Sequence, residues 1–145
     1  MDEGIASPDP PLARLLLLAS RWFDARSRDL LEEEEEEGWP RLSPAQTLLF
    51  AVLDEGGTPP AELARRLGNS RQATGQLIDG LHRLGLVELV DNSCRRGGRL
   101  VRYSPRGQEL RAAAYRILAE LEASLGARRA RTLRRLLAEF TSPVI

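Results

Sequence analysis

Arg71, Gln72, Thr74 and Gln76 fall within a stretch of six residues, and each of these side chains can address a nucleic acid. A guanidinium forks onto the O6 and N7 of guanine, a Gln amide onto the N6 and N7 of adenine, and Ser or Thr hydroxyls suit phosphates. Ser70 immediately precedes this stretch and Gly75 lies within it. A second cluster follows at Asn92–Ser104, "NSCRRGGRLVRYS", where Arg95, Arg96, Arg99 and Arg102 surround Gly97–Gly98 and the only cysteine, Cys94. So much positive charge on a glycine-softened loop has the chemistry to meet a polyanion.

Other chemistries find little support. With one Cys and one His, His82, the chain can build neither an intramolecular disulfide nor a cysteine zinc site, so no metal or other cofactor is expected. An enzyme needs a positioned acid, base or nucleophile, and Asp24 and Asp29, five apart, share a helix face poorly. No apolar run reaches the ~18–20 residues of a membrane span, and the acidic opening "MDEGIASPDPP" is unlike a secretory signal. A soluble cytoplasmic protein without a membrane partner is expected.

The formal net charge of zero is a cancellation: Met1–Gly38 holds eleven acids against four arginines, and Trp39–Ile145 holds ten against seventeen. Across Thr58–Gly107 the balance is nine arginines against four acids, an electrostatic footprint on one part of the chain. All 21 basic residues are arginine, a bias that G+C-rich codon use explains and that is not evidence for nucleic acid.

The elements that must hold these clusters read as follows. Leu12–Leu31 lacks Pro and Gly and predicts a long helix whose stripe, with Leu17 and Leu18 added, is wider than one buried face needs. The run Glu32–Glu37 repels itself and should fray that helix, and Gly38–Pro40 ends it. A second helix starts from a Ser43 cap with Pro44 and Gln46 behind it and stops at Gly56–Gly57. Thr58 as cap and Pro59 start a short third helix ending at Leu67. After the turn Gly68–Ser70, in which Asn69 or Ser70 is the cap, Arg71–Leu84 forms a fourth, with Ala73, Leu77, Leu81 and Leu84 inward. Leu86–Ser104 reads as a β-hairpin, and Pro105–Phe140 as helix broken near Gly126.

Two short helices across a Gly-containing turn, followed by a basic hairpin, form a winged helix-turn-helix. The sequences "LSPAQTLLFAVL", "TPPAELARRLGNSRQATGQLIDGLHRLGLVELV" and "RLVRYSPRGQEL" resemble the multiple-antibiotic-resistance regulator (MarR) family of bacterial winged-helix repressors over roughly Leu42–Leu110. The resemblance implies a mostly α fold with a small β-hairpin. It divides the chain into an N-terminal dimerisation helix with an acidic bend (1–40), a winged helix-turn-helix domain (41–107) and C-terminal dimerisation helices (108–145). It further implies a homodimer on a palindromic double-stranded DNA operator, a recognition helix at Ser70–Leu84, a wing at Asp91–Arg99 that reaches a minor groove, and a small aromatic effector that releases DNA. Ser70, Arg71, Gln72, Thr74, Gly75 and Gln76, with Arg95, Arg96 and Arg99, are the candidate DNA contacts.

The wing departs from the family pattern Asp-x-x-Asp-Arg-Arg. Cys94 stands where the second Asp is expected, and Gly97–Gly98 lengthens the tip. The tip arginine is Arg95, Arg96 or Arg99, with Arg96 at the family spacing. Trp22, Phe23, Trp39, Phe50 and Tyr115 are the candidates for the effector pocket, against the plainer reading of core aromatics. Cys94, between Ser93 and the pair Arg95–Arg96, is a candidate redox residue or a chance surface thiol. The rival function is a winged-helix protein-interaction module without specific DNA binding.

Overall fold

The computed structural model describes residues 9–34, 38–94 and 97–141. Six helices and one hairpin follow in the order α1 (Leu12–Glu34), α2 (Pro44–Val52), α3 (Pro60–Leu67), α4 (Arg71–Arg83), β1 (Val87–Asp91), β2 (Arg99–Tyr103), α5 (Pro105–Ser124) and α6 (Ala127–Thr141). This is the mostly α winged-helix architecture with a small β-hairpin. The strands pair antiparallel from Val87 opposite Tyr103 to Asp91 opposite Arg99. Leu49, Leu63, Leu81, Leu86, Val87 and Val101 are fully or almost fully buried, so a single apolar cluster ties α2, α3 and α4 to the hairpin.

Serine caps set where the helices begin. The Gln46 amide donates to Ser43 Oγ (3.2 Å) and the Ser43 amide to Gln46 Oε1 (2.9 Å), the reciprocal capping box expected ahead of α2. Ser70 rather than Asn69 caps α4, its Oγ accepting from the Ala73 amide at 3.1 Å. Gly68, at φ +65°, takes the left-handed turn between α3 and α4 that a side chain would strain. Ser104 accepts from the Gly107 amide (2.9 Å) and donates to the Gly85 carbonyl (2.5 Å), fastening the start of α5 to the end of α4. A Cβ on Gly107 would stand 2.0 Å from the Leu86 carbonyl oxygen, so this approach is open only to glycine.

Several expectations need correction. α2 ends at Val52, short of Gly56–Gly57, because Leu53 leaves the helix in an extended conformation and turns its side chain into the core. Thr58 does not cap α3: it is fully buried, exchanges two backbone hydrogen bonds with Val101 (2.8 and 2.9 Å), and its hydroxyl accepts from the Asp54 amide. Pro59 takes the cap position without a side-chain hydrogen bond. The inward face of α4 holds Leu81 as expected and Leu77 half-buried against the core, but its other buried residues are Thr74 and Ile78, while Leu84 is exposed. α1 runs on to Glu34, with Glu32 near Arg41 (3.9 Å) and Glu34 paired with Arg116 (2.5 Å), so nearby arginines offset part of the repulsion in the glutamate run. The rest of that run, 35–37, lies outside the described residues.

α1 packs along α5 but has no buried residue of its own. Leu16, Phe23 and Leu31 are half-buried, while Leu12, Leu15, Leu17 and Leu18 are exposed. α5 and α6 part around Gly126, as the sequence suggests, and α6 leaves Leu133, Leu136 and Phe140 exposed. No helix among the described residues is long and apolar enough to cross a membrane.

Candidate nucleic-acid interface

α4 presents its first turn at the surface. Ser70, Arg71, Gln72 and Gln76 are exposed and Gly75 is half-buried. Arg71 has no carboxylate partner among the described residues, whereas the Ser70 hydroxyl is engaged in capping. The helix start also carries amides with no intrahelical acceptor, a setting that favours an anion. Thr74 does not share this face. It is buried to 1% exposure, and its hydroxyl donates to the Ser70 carbonyl at 2.8 Å, so its methyl joins the core and its oxygen is used. Thr74 therefore does not stand with the exposed candidates for DNA contact, because the core stripe of α4 passes through it.

Ion pairing sorts the local excess of arginine. Arg65 pairs with Glu62, Arg66 with Asp54 and Glu62, Arg102 with Glu88 across the hairpin, and Arg106 with Glu109. The guanidiniums hold the Glu62 carboxyl down to about 2, chiefly through the Arg65 hydrogen bond, and hold Asp54 below its ordinary value through Arg66. Arg66 and Arg102 fasten elements together, while Arg65 and Arg106 pair within their own helices. Arg71, Arg83 and Arg99 have no carboxylate partner among the described residues, and Arg99 is exposed where β2 begins. Arg95 and Arg96 lie outside the described residues. Cys94 is exposed beside them, and its amide donates to Asn92 Oδ1 at 3.1 Å.

A cavity of about 550 Å³ lies between α1, α2 and α5. Phe23, Trp39, Phe50 and Tyr115 line it, and Trp22 does not. Trp22 sits on the outer side of α1, 42% exposed, with its ring edge-on to Phe23 at 4.9 Å. The helical stripe could not separate these neighbours, since adjacent residues on a wide apolar stripe differ by about 100° in direction. Arg28, Tyr103 and Arg111 are among the lining residues with polar chemistry that lie outside the predicted set. Tyr103 had a legible signal, the alternation that puts Val101 and Tyr103 on the inner face of β2. Its ring meets Phe50 edge-on at 4.9 Å and its hydroxyl donates to the Phe50 carbonyl at 2.5 Å, and burial pushes its pKa up to about 12. No group of three or more His, Cys, Asp or Glu side chains converges among the described residues.

A helix-turn-helix with an exposed unpaired arginine at the head of its second helix, and a basic hairpin after it, is now in view. Residues 42–97 match the sequence model of the MarR family. That match covers the helix-turn-helix and the start of the hairpin, and solved structures resemble the chain in fold over nearly its whole length. The RV1404 protein of Mycobacterium tuberculosis is 23% identical with a TM-score of 0.65, covering 91% of this chain and 90% of its own. Wild-type MarR of E. coli in its apo form is 22% identical, with a TM-score of 0.64 and coverage of 92% and 98%. The transcriptional regulator BldR of Sulfolobus solfataricus is 21% identical, with a TM-score of 0.64 and coverage of 91% and 90%. No curated protein is detectably similar in sequence. These structural likenesses show a winged-helix fold.

Proposed function

We propose that the protein is a sequence-specific repressor that binds a palindromic operator as a homodimer and is released by a small aromatic ligand. The observation that carries the reading is the exposed first turn of α4, where Arg71, Gln72 and Gln76 stand together and Arg71 has no carboxylate partner among the described residues. In this reading Arg71 and the two glutamines meet base edges, Ser70 and Gly75 lie against the backbone, and Arg95, Arg96 and Arg99 belong to the wing. Repression follows from occlusion, as the name of one structurally similar protein, the multiple antibiotic resistance repressor, suggests.

The dimer is supported by apolar surface that one chain leaves wet: Leu12, Leu15, Leu17 and Leu18 on α1, and Leu133, Leu136 and Phe140 on α6. The division at 1–40, 41–107 and 108–145 is kept on that ground, with the middle part reading DNA and the flanks pairing the chains. The aromatic-walled cavity supports the ligand. Cys94, exposed at the wing, is retained as a candidate redox residue.

Two substitutions test the DNA reading. Arg71→Ala should narrow the gap between a selected and a random duplex by about 1–3 kcal/mol, while Arg99→Ala should weaken both nearly alike. Equal loss on both duplexes for Arg71→Ala would remove its base-reading role. Binding that hardly changes between about 50 and 200 mM salt would favour a protein-interaction module instead.

A further inference from the structure

α4 has a buried side and an outer side, and one residue of the outer side is unlike the rest. Thr74, Ile78 and Leu81 face the core. At about 100° per residue, Gln72, Gln76, Asp79 and Arg83 fall within roughly 60° of one another on the opposite side, and all four are exposed. Gln72, Gln76 and Arg83 carry donors. The Asp79 carboxylate carries only acceptors, and it makes no ion pair or hydrogen bond among the described residues. Arg83, one turn on, does not supply a cation: its Nε donates to the Asp79 backbone carbonyl at 3.4 Å and leaves the carboxylate unmet.

Such a group is costly on a face that meets DNA unless the duplex offers it a donor. The phosphates on either side repel it, and N7 and O6 of guanine, N7 of adenine and O4 of thymine are acceptors that it cannot use. The donors that line a major groove are the exocyclic amino groups of cytosine and adenine. The adenine N6 lies between two acceptors, its own N7 and the O4 of the paired thymine. The cytosine N4 has an acceptor on one side only, the O6 of the paired guanine. A carboxylate therefore favours cytosine. The position also fits, since from Gln72 to Asp79 the helix rises about 10.5 Å, close to the rise of about three base pairs.

We infer that Asp79 is a specificity-determining residue: it accepts from the N4 of one cytosine in each half-site and rejects duplexes that place only acceptors there. This rests on the DNA reading above. Part of the specificity is then repulsive, because the carboxylate weakens binding to random duplex more than binding to the operator.

The test compares the full-length natural chain with Asp79→Ala and Asp79→Asn, both at an exposed position. Each protein selects bound sequences from a random duplex pool and is then titrated with the enriched and the random duplexes. The natural chain should enrich one cytosine in each half-site, and exchanging that C·G pair for any other should weaken its binding about 5- to 150-fold. Asp79→Ala should accept all four pairs there nearly alike and bind random duplex more tightly. Asp79→Asn should move the preference to adenine, whose N6 and N7 its amide forks onto. The same preferred base at every position in all three proteins, or a loss shared equally by all sequences, would overturn the role of Asp79 and leave the DNA reading standing. No enriched sequence with the natural chain would overturn the DNA reading and the role with it.

Discussion

Tyr103 joins the wing to the end of α2 with one hydroxyl, donated to the Phe50 carbonyl inside the core. Tyr103→Phe should therefore cost about 1–3 kcal/mol of unfolding free energy, because that carbonyl loses its donor. Its raised pKa adds a pH signature. The folded chain keeps the proton up to about 12 while an unfolded tyrosine loses it near 10.0, so stability is complete below 10.0 and falls from there toward 12. Denaturant titrations across that range should show the fall in the natural protein and a flatter profile in Tyr103→Phe. Gly107→Ala should cost about 1–3 kcal/mol, measured the same way, since its Cβ would press on the Leu86 carbonyl. Neither residue stood out in the sequence. A single tyrosine at the end of a short strand and a single glycine in a helix are ordinary there, and their importance comes from what the fold brings beside them.

The start of α2 was legible for a physical reason: Ser43 satisfies amides that a helix leaves open, a need met within four residues of chain, as Ser70 does for α4, where Asn69 stood as an equal candidate, and Ser104 for α5. Thr58 looked like the same signal and was not, because a strand bridge to Val101, forty-three residues away, took its backbone. The inward face of α4 was misread in part for a similar reason. Thr74 is polar by composition but buries its methyl and spends its hydroxyl on Ser70, which no pattern of apolar residues announces. The pairs that hold α3 can be tested as a unit. Asp54 and Glu62 both have lowered pKa values, with Glu62 at about 2 against its ordinary 4.5. Their contribution is present above pH 4.5 and is lost as pH falls from 4.5 toward 2. Asp54→Asn should flatten that acid-side loss in thermal unfolding, and an unchanged acid profile would show that Arg66 does not depend on Asp54.

For the whole molecule, a neutral chain is divided into parts of opposite charge and joined by helices with more apolar surface than one copy can cover. The winged-helix order, the hairpin and the Ser43 cap could be read along the chain, because local hydrogen bonding and patterning dictate them. The cavity could be read only in part: Phe23, Trp39, Phe50 and Tyr115 meet there, but the arginines that give it chemistry come from helices far apart in sequence. The proposed dimer places two α4 helices in successive major grooves roughly 34 Å apart. Selection of bound sequences from a random duplex pool tests this most directly. The account predicts an enriched inverted repeat with half-sites about one helical turn apart, and a pool that stays random after repeated rounds would contradict it.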